Sequence, residues 1–248
     1  MNETRLPTSS GRTPRLFVGA PLAAGAAVTL APPAAHYLTT VLRLGYGADV
    51  LAFDDETGEW QARLVRERKS ARLEIITRVR PREAVPDLWL CAAPLKKGRI
   101  DWLAEKACEL GVARLVPTLT RHSITEKVKP ERLRAHMVEA AEQCGRTALP
   151  ELAQAVPIGE LLAAWPADRR LVFCDEAGGL AAREAFRACP APAAILIGPE
   201  GGFSAEERAA IRAVAGAIPV ALGPRILRAD TAAVTAVSLW MAENGDWL

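Results

Sequence analysis

The sequence predicts an α/β protein in which a small β-barrel precedes a larger domain with a mostly parallel sheet. Three observations lead there. Short, partly alternating apolar runs fill the chain from Arg15 to about Arg80. The segment "PREAVPD", with prolines at 81 and 86, then breaks the pattern. Beyond it, continuous apolar strands alternate with amphipathic helices, the arrangement of a sheet buried on both faces.

In the first part, "RLFVG", "AAVTL", "ADVLAFD", "EWQARLVRE" and "ARLEIITRVR" are strand candidates, and "DDETGE" is a hairpin turn. "PAAHYLTTVLRL" has the only helical spacing there, with Tyr37, Val41 and Leu44 on one face. Several short strands around one helix indicate a small barrel. Between Arg63 and Arg82 eight Lys/Arg face only two acidic residues, which is either a solvated strand face or an RNA surface. The boundaries are a mobile arm at 1–14, the barrel at 15–82 and the second domain at 86–248.

In the second part, "LWLCAA" is a buried strand and "RIDWLAEKACELG" an amphipathic helix. Ile100, Leu103, Ala107 and Leu110 point inward, and Gly111 serves as C-cap. "ARLVPT" is the next strand. "PERLRAHMVEAAEQCGR" is a long helix with Pro130 at its start and a stripe of Leu133, Met137, Ala140 and Cys144. The remaining strands are "RRLVFCDE", "AAILIG" and "IPVALG". The remaining helices are "LAAREAFRA", "SAEERAAIRAVAG" and "TAAVTAVSLWMAEN".

Composition bounds the function. With 248 residues, 50% hydrophobic and 24% charged, the chain has ample material for a globular core. A net charge of +2 does not by itself indicate nucleic acid, so any RNA surface must be local. The five cysteines are scattered and the three histidines lack ligand spacing, so neither a disulfide framework nor a metal site is expected. No apolar run approaches the roughly 20 residues of a membrane span. Residues 1–14 mix Ser, Thr, Pro and Gly without the apolar core of a signal peptide, so a cytoplasmic protein is expected.

Ligands of parallel sheets bind beyond the carboxyl ends of the strands. Three such ends carry unusual residues: Cys174-Asp175-Glu176, the turn from Gly198 to Gly202, and the stretch from Leu222 to Thr231. Neither G-x-x-x-x-G-K-[ST] nor G-x-G-x-x-G occurs, and Glu200 would repel a polyphosphate. Glycines 198, 201 and 202 instead leave backbone groups open to a nucleoside edge. Ser204 and Glu207 form a capping box. Asp230 is either an N-cap or a functional carboxylate, and Arg228 either a surface or a functional cation.

"IGPEGGFSAEE" followed by "LGPRILRADTA" closely resembles the ribosomal RNA small subunit methyltransferase E family. That family methylates N3 of a uridine in 16S rRNA and belongs to the SPOUT class of S-adenosylmethionine (SAM)-dependent methyltransferases. "RLFV" and "HYLTTVLRLGYGADV" are similar to its PUA-like RNA-binding barrel. "LKKGRIDWLAEKACELGVARLVP" and "ERLRAHMVEAAEQCGRTALPEL" are similar to the start of its catalytic domain. Where the family usually carries Glu, this chain has Asp230.

The resemblance implies a trefoil-knotted C-terminal domain, a homodimer, and the small ribosomal subunit as partner. It also implies SAM walls from Cys174 and Asp175, from Ile197, Gly198 and Gly202, and from Leu222, Gly223, Ile226 and Leu227. Methyl transfer to N3 requires loss of the N3 proton and a cation beside O2 or O4. Arg228 is the candidate cation. Glu200 or Asp230 either accepts the proton or orients Arg228 and the cofactor. Phosphate contacts are expected from Arg15, Arg43, Lys96, Lys97, Arg99, Arg121 and Arg146. The rival readings are a SPOUT enzyme acting on another base or on tRNA, and a non-catalytic RNA-binding assembly factor.

Overall fold

A computed structural model describes residues 13–68, 70–96, 98–124 and 128–247. The mobile arm expected at 1–14 therefore lies, up to residue 12, outside the described residues. The chain forms two compact units, one ending at Glu83 and the other starting at Ala84.

The first unit contains, in chain order, β1 (Arg15–Phe17), β2 (Ala27–Thr29), α1 (Pro32–His36), β3 (Asp49–Phe53), β4 (Glu59–Glu67) and β5 (Ser70–Arg80). The strands form one sheet in the order β1-β3-β4-β5-β2, antiparallel except for the β1–β3 pair. The two edge strands do not pair with each other, so ladder bonds do not close the expected barrel. Period-2 alternation sets the core: Trp60, Ala62 and Leu64 of β4 meet Ala71, Leu73 and Ile75 of β5. The β3–β4 turn is built on buried Asp54, which accepts bonds from the backbone of Glu56 and from the backbone and hydroxyl of Thr57.

The helical expectation around Tyr37 needs correction. α1 gives way to a π-helical stretch, Tyr37–Val41, in which the Leu42 N–H donates to the Tyr37 carbonyl at 2.9 Å. The wider winding rotates the faces. Leu38 becomes the fully buried residue, and Val41 is 59% exposed rather than packed inward.

The second unit begins with β6 (Leu88–Ala92), α2 (Arg99–Glu109), β7 (Arg114–Leu119) and α3 (Pro130–Cys144). Next come β8 (Glu151–Leu152), β9 (Val156–Pro157), α4 (Ile158–Ala163), β10 (Arg170–Cys174), β11 (Leu180–Ala181) and α5 (Ala182–Arg187). The last elements are β12 (Ala193–Ile197), α6 (Ala205–Ala213), β13 (Ile218–Ala221) and α7 (Ala229–Asn244). The sheet runs β11-β13-β10-β12-β6-β7-β8 with every pair parallel, and β9 pairs beside the end of β7.

Helices α7 and α4 contact the sheet, α7 at β6 and β12 and α4 at β7; α7 also packs against α2 and α5, and α4 against α6. Every residue of β12 is buried, the signature of a strand covered on both faces. Trp240 of α7 is fully buried and donates through its indole N–H to the Cys189 carbonyl at 2.8 Å. On α3, Ala141 is buried where Cys144 was expected, because the helix ends at Gly145 in the left-handed conformation and Cys144 is exposed.

One connection is unusual. β10 and β11 are joined only by residues 175–179, yet β13 lies between them in the sheet. The connection crosses β13 at backbone contact distance: a Cβ on Gly179 would overlap the Pro219 carbonyl group. Only glycine permits that crossing.

In the first unit, Glu59 is 4% exposed and binds Arg15 Nε at 2.6 Å and Arg80 Nε at 2.9 Å. Burial raises its pKa, but the bonds from Arg80 and Arg15 outweigh it and hold the carboxyl below its ordinary 4.5. The pair therefore contributes fully above that pH and is lost as pH falls through the lowered value. Glu59→Ala removes the buried carboxylate that Arg15 and Arg80 share, at a cost of about 3 kcal/mol. The expected readout at neutral pH is amide exchange in β3 and β4 faster by on the order of a hundredfold.

Candidate active site

Parallel pairing brings the carboxyl ends of β10, β12 and β13 to one edge of the sheet. Phe173 registers with Leu196 on one side and with Pro219 on the other. The segments that follow these strands enclose a cavity of about 250 Å³. All nine residues expected as cofactor walls line it, as does Glu200.

Cys174 and Asp175 form the wall after β10, and they act differently. Burial pushes the Cys174 thiol up to about 12, so this wall presents a neutral, weakly polar sulfur. The Asp175 side chain is fully buried and committed to α6, 2.8 Å from Arg212 and 3.3 Å from Arg208 Nε. Its Oδ1 also accepts the Ala177 N–H at 3.0 Å. Asp175 is thus the strut that ties this loop to α6.

Ile197, Gly198 and Gly202 form the second wall. A Cβ on Gly198 would lie 3.1 Å from the Phe203 ring. Gly202 adopts φ +69°, and a Cβ there would lie 2.5 Å from Glu176 Oε1. The capping box forms as expected: Ser204 Oγ accepts the Glu207 N–H and Glu207 accepts the Ser204 N–H.

Two side chains outside the expected wall residues join this wall. Glu176 lines the cavity. His122, from the β7–α3 connection, donates through Nδ1 to the carbonyls of Gly201 and Gly202, each at 3.1 Å. Glu176 was visible beside Asp175 in the chain, whereas His122 lies 79 residues from its partner and left no local signal.

Leu222, Gly223, Ile226 and Leu227 form the third wall, with Ala229 and Ala232 of α7 behind them. Gly223 adopts φ +114° and Ile226 is 89% exposed at the cavity edge.

The expected catalytic residues fall into two groups. Arg99, at the first turn of α2, lies 3.5 Å from Glu200 Oε1 and 3.7 Å from Asp230 Oδ2. One cation thus spans the glycine turn and the start of α7. At this partial exposure the pairs contribute little stability, roughly 0–1 kcal/mol each; their effect is to orient. Arg228 is the backbone N-cap of α7, its side chain exposed and without an ion-pair partner among the described residues. Asp230 is not the N-cap; it sits in the first turn of α7 with Oδ1 accepting the Thr231 N–H at 2.8 Å. Arg228 and Asp230 are not on the cavity lining.

Three expected phosphate contacts require correction. Arg99 is engaged with the two carboxylates. Arg15 is buried against Glu59 and lies over the Phe53 ring at 4.3 Å. Arg146 is buried and donates to the Cys108 and Val112 carbonyls at 2.7 and 2.8 Å, satisfying acceptors at the end of α2. Arg43, Lys96 and Arg121 are exposed, and Lys97 lies outside the described residues.

A family model described as an RNA methyltransferase domain matches residues 81–241, and one described as an RNA methyltransferase PUA domain matches residues 30–76. The ribosomal RNA small subunit methyltransferase E of Synechocystis sp. is 30% identical over 231 residues, covering 90% of this chain and 76% of the relative. This chain belongs to the ribosomal RNA small subunit methyltransferase E family.

The Rickettsia conorii member is 27% identical, covering 90% of this chain and 93% of the relative. Among solved structures, Legionella pneumophila Lpg2936, described with bound cofactor SAM, superposes with a TM-score of 0.86 at 31% identity, covering 95% of this chain and 100% of that one. The Neisseria gonorrhoeae methyltransferase E bound to S-adenosyl methionine gives 0.82 at 25% identity, covering 96% and 100%.

The cavity wall of this family member makes a chemical prediction. At about pH 8 iodoacetamide is expected to label exposed Cys144 and to spare Cys174, Cys91 and Cys189, whose thiols burial holds at about 12, 12 and 11. Peptide mass spectrometry checks it. Labelling of Cys174 as fast as Cys144 would contradict the closed wall.

Proposed function

We propose that this chain transfers a methyl group from SAM to N3 of a uridine in the 16S rRNA of the small ribosomal subunit. The observation that carries the reading is the cavity at three adjacent strand ends, with a cation and two carboxylates at its margin. The cavity suits SAM. Ile197, Leu222 and Val220 offer apolar contact for an adenine, and the glycine turn offers backbone groups for its edge. Glu176 and Glu200 supply negative charge near a cationic ligand, and of the two arginines on the lining, Arg208 is engaged by Asp175 and Glu176. When bound, SAM supplies an activated methyl group on a sulfonium.

The protein must do the rest. Uracil N3 exchanges a proton for a methyl group, so one base must take the proton and one cation must hold the charge spread onto O2 and O4. Arg228, exposed and unpaired at the start of α7, is the cation. Glu200 and Asp230 are the proton acceptor and its partner, oriented by Arg99. The neutral Cys174 thiol does not compete for the methyl group, since only a thiolate is a strong nucleophile.

The crossing of residues 175–179 over β13 supports the trefoil threading expected for this class, a departure from the rule that chains do not thread their own loops. A homodimer and a cytoplasmic location complete the reading. Thr235, Ser238 and Leu239 form a partly exposed face of small and apolar residues on α7 that fits a second copy. No helix of the described residues is long and apolar enough to cross a membrane. No cluster of three or more potential metal ligands occurs among them.

The test is transfer of radiolabelled methyl from SAM to small subunits lacking the modification, followed by nucleoside digestion. The expected product is labelled 3-methyluridine. Label on another nucleoside would overturn the choice of base, and no label would overturn the substrate. Arg228→Ala is expected to lower kcat on the order of a hundredfold while leaving the Kd for SAM within about threefold.

A further inference from the structure

The loop between α1 and β3 buries Leu38 in the core of its unit but presents other apolar and aromatic side chains to solvent. Residues Tyr37–Val41 are wound as a π-helix, a form often found at functional sites. Arg43 is held at φ +54°, a left-handed conformation that non-glycine residues seldom adopt. Val41, Leu42 and Tyr46 are left 59%, 36% and 51% exposed. The loop is nonetheless anchored: the Gly47 N–H donates to the Leu64 carbonyl at 2.7 Å, and the Leu64 N–H donates to the Ala48 carbonyl at 2.9 Å.

Uncompensated arginines of this unit include one in this loop and one over its Tyr46 ring. Arg63, Arg72, Arg80 and Arg82 are paired with Asp49, Glu67 and Glu74, Glu59, and Asp55. Arg43, Arg66, Arg68 and Arg78 are exposed and make no ion pair among the described residues; Arg43 lies in this loop, Arg66 near the end of β4 and Arg68 in the β4–β5 turn. The Arg66 guanidinium lies over the Tyr46 ring, 5.8 Å from its centroid.

We propose that Tyr46 is a stacking platform for one unpaired base of single-stranded RNA. Arg66 covers one face of the ring and the base takes the other, while Arg43 and Arg68 contact the flanking phosphates. An exposed aromatic ring among uncompensated arginines matches the two parts of a single strand, its base faces and its phosphates. An acidic protein surface would use the arginines but leave the ring without a partner. The inference rests on the RNA reading above and assigns the N-terminal unit a base contact of its own.

The experiment is fluorescence anisotropy of a labelled single-stranded oligouridylate titrated with the full chain. Tyr46→Ala is expected to raise Kd about tenfold, and Tyr46→Phe and Tyr46→Trp to stay near wild type. The double variant Arg43→Gln, Arg68→Gln is expected to flatten the log Kd against log salt slope by about 1.4, two phosphates' worth. SAM affinity, read on the same samples, is expected to stay unchanged in all four. Wild-type binding by Tyr46→Ala would overturn the proposal. Equal weakening by Ala and Phe would do the same, because the hydroxyl rather than the ring would then carry the contact. The readout is binding, so it stands or falls independently of which nucleoside the methyl-transfer assay labels.

Discussion

Everything at the candidate site depends on one steric constraint: three neighbouring parallel strands must end at the same edge and turn away without filling the space between them. A parallel sheet enforces the first half, because β10, β12 and β13 all run in one direction. The second half demands glycine at two places. Gly179 lets the connection from β10 pass against the backbone of β13, and Gly202 supplies the φ of +69° that the turn after β12 takes beside the Glu176 side chain. A β-carbon at Gly179 would push two backbones apart, and one at Gly202 would strain the turn and displace the Glu176 carboxylate. The pocket is therefore a consequence of how the chain crosses itself.

Around that constraint, charge fixes the moving parts. Asp175, fully buried between Arg208 and Arg212, ties the first loop to α6. His122 clamps the carbonyls of the glycine turn from the side of β7. Arg99 joins that turn to the start of α7 through Glu200 and Asp230. Among the described residues, Arg225 and Arg228 are the cationic side chains at this margin with no ion pair; Arg228, next to Asp230 at the start of α7, is the one assigned to the negative charge that develops on a substrate. The shorter carboxylate of Asp230, where the family usually has Glu, reaches Arg99 at 3.7 Å.

Much of this was legible in the sequence, because continuous apolar runs and glycine-rich strand ends are local signals. The runs "LWLCAA", "LVFC" and "AAILI" announced buried parallel strands, and the motifs after them marked the three cavity walls. What escaped was long-range pairing. Arg15 and Arg146 read as surface cations because nothing near them in the chain shows Glu59 or the carbonyls at the end of α2. Arg99 read as a phosphate contact for the same reason, since its carboxylates come from two distant loops. Of the face at Tyr37, Tyr37 and Leu44 do pack on the core, but Val41 turns outward because the chain winds wider than a period of 3.6 and turns Leu38 inward.

The central claim is that this strand-end cavity is the SAM site. Its most direct test is calorimetric titration of SAM into the wild-type chain and into Ala232→Phe, which fills the cavity from the α7 side. The account predicts one site per chain in the wild type and affinity at least about tenfold weaker in the variant, with the helical circular dichroism of both unchanged. Equal affinity in the two proteins would contradict it and move the cofactor elsewhere on the fold.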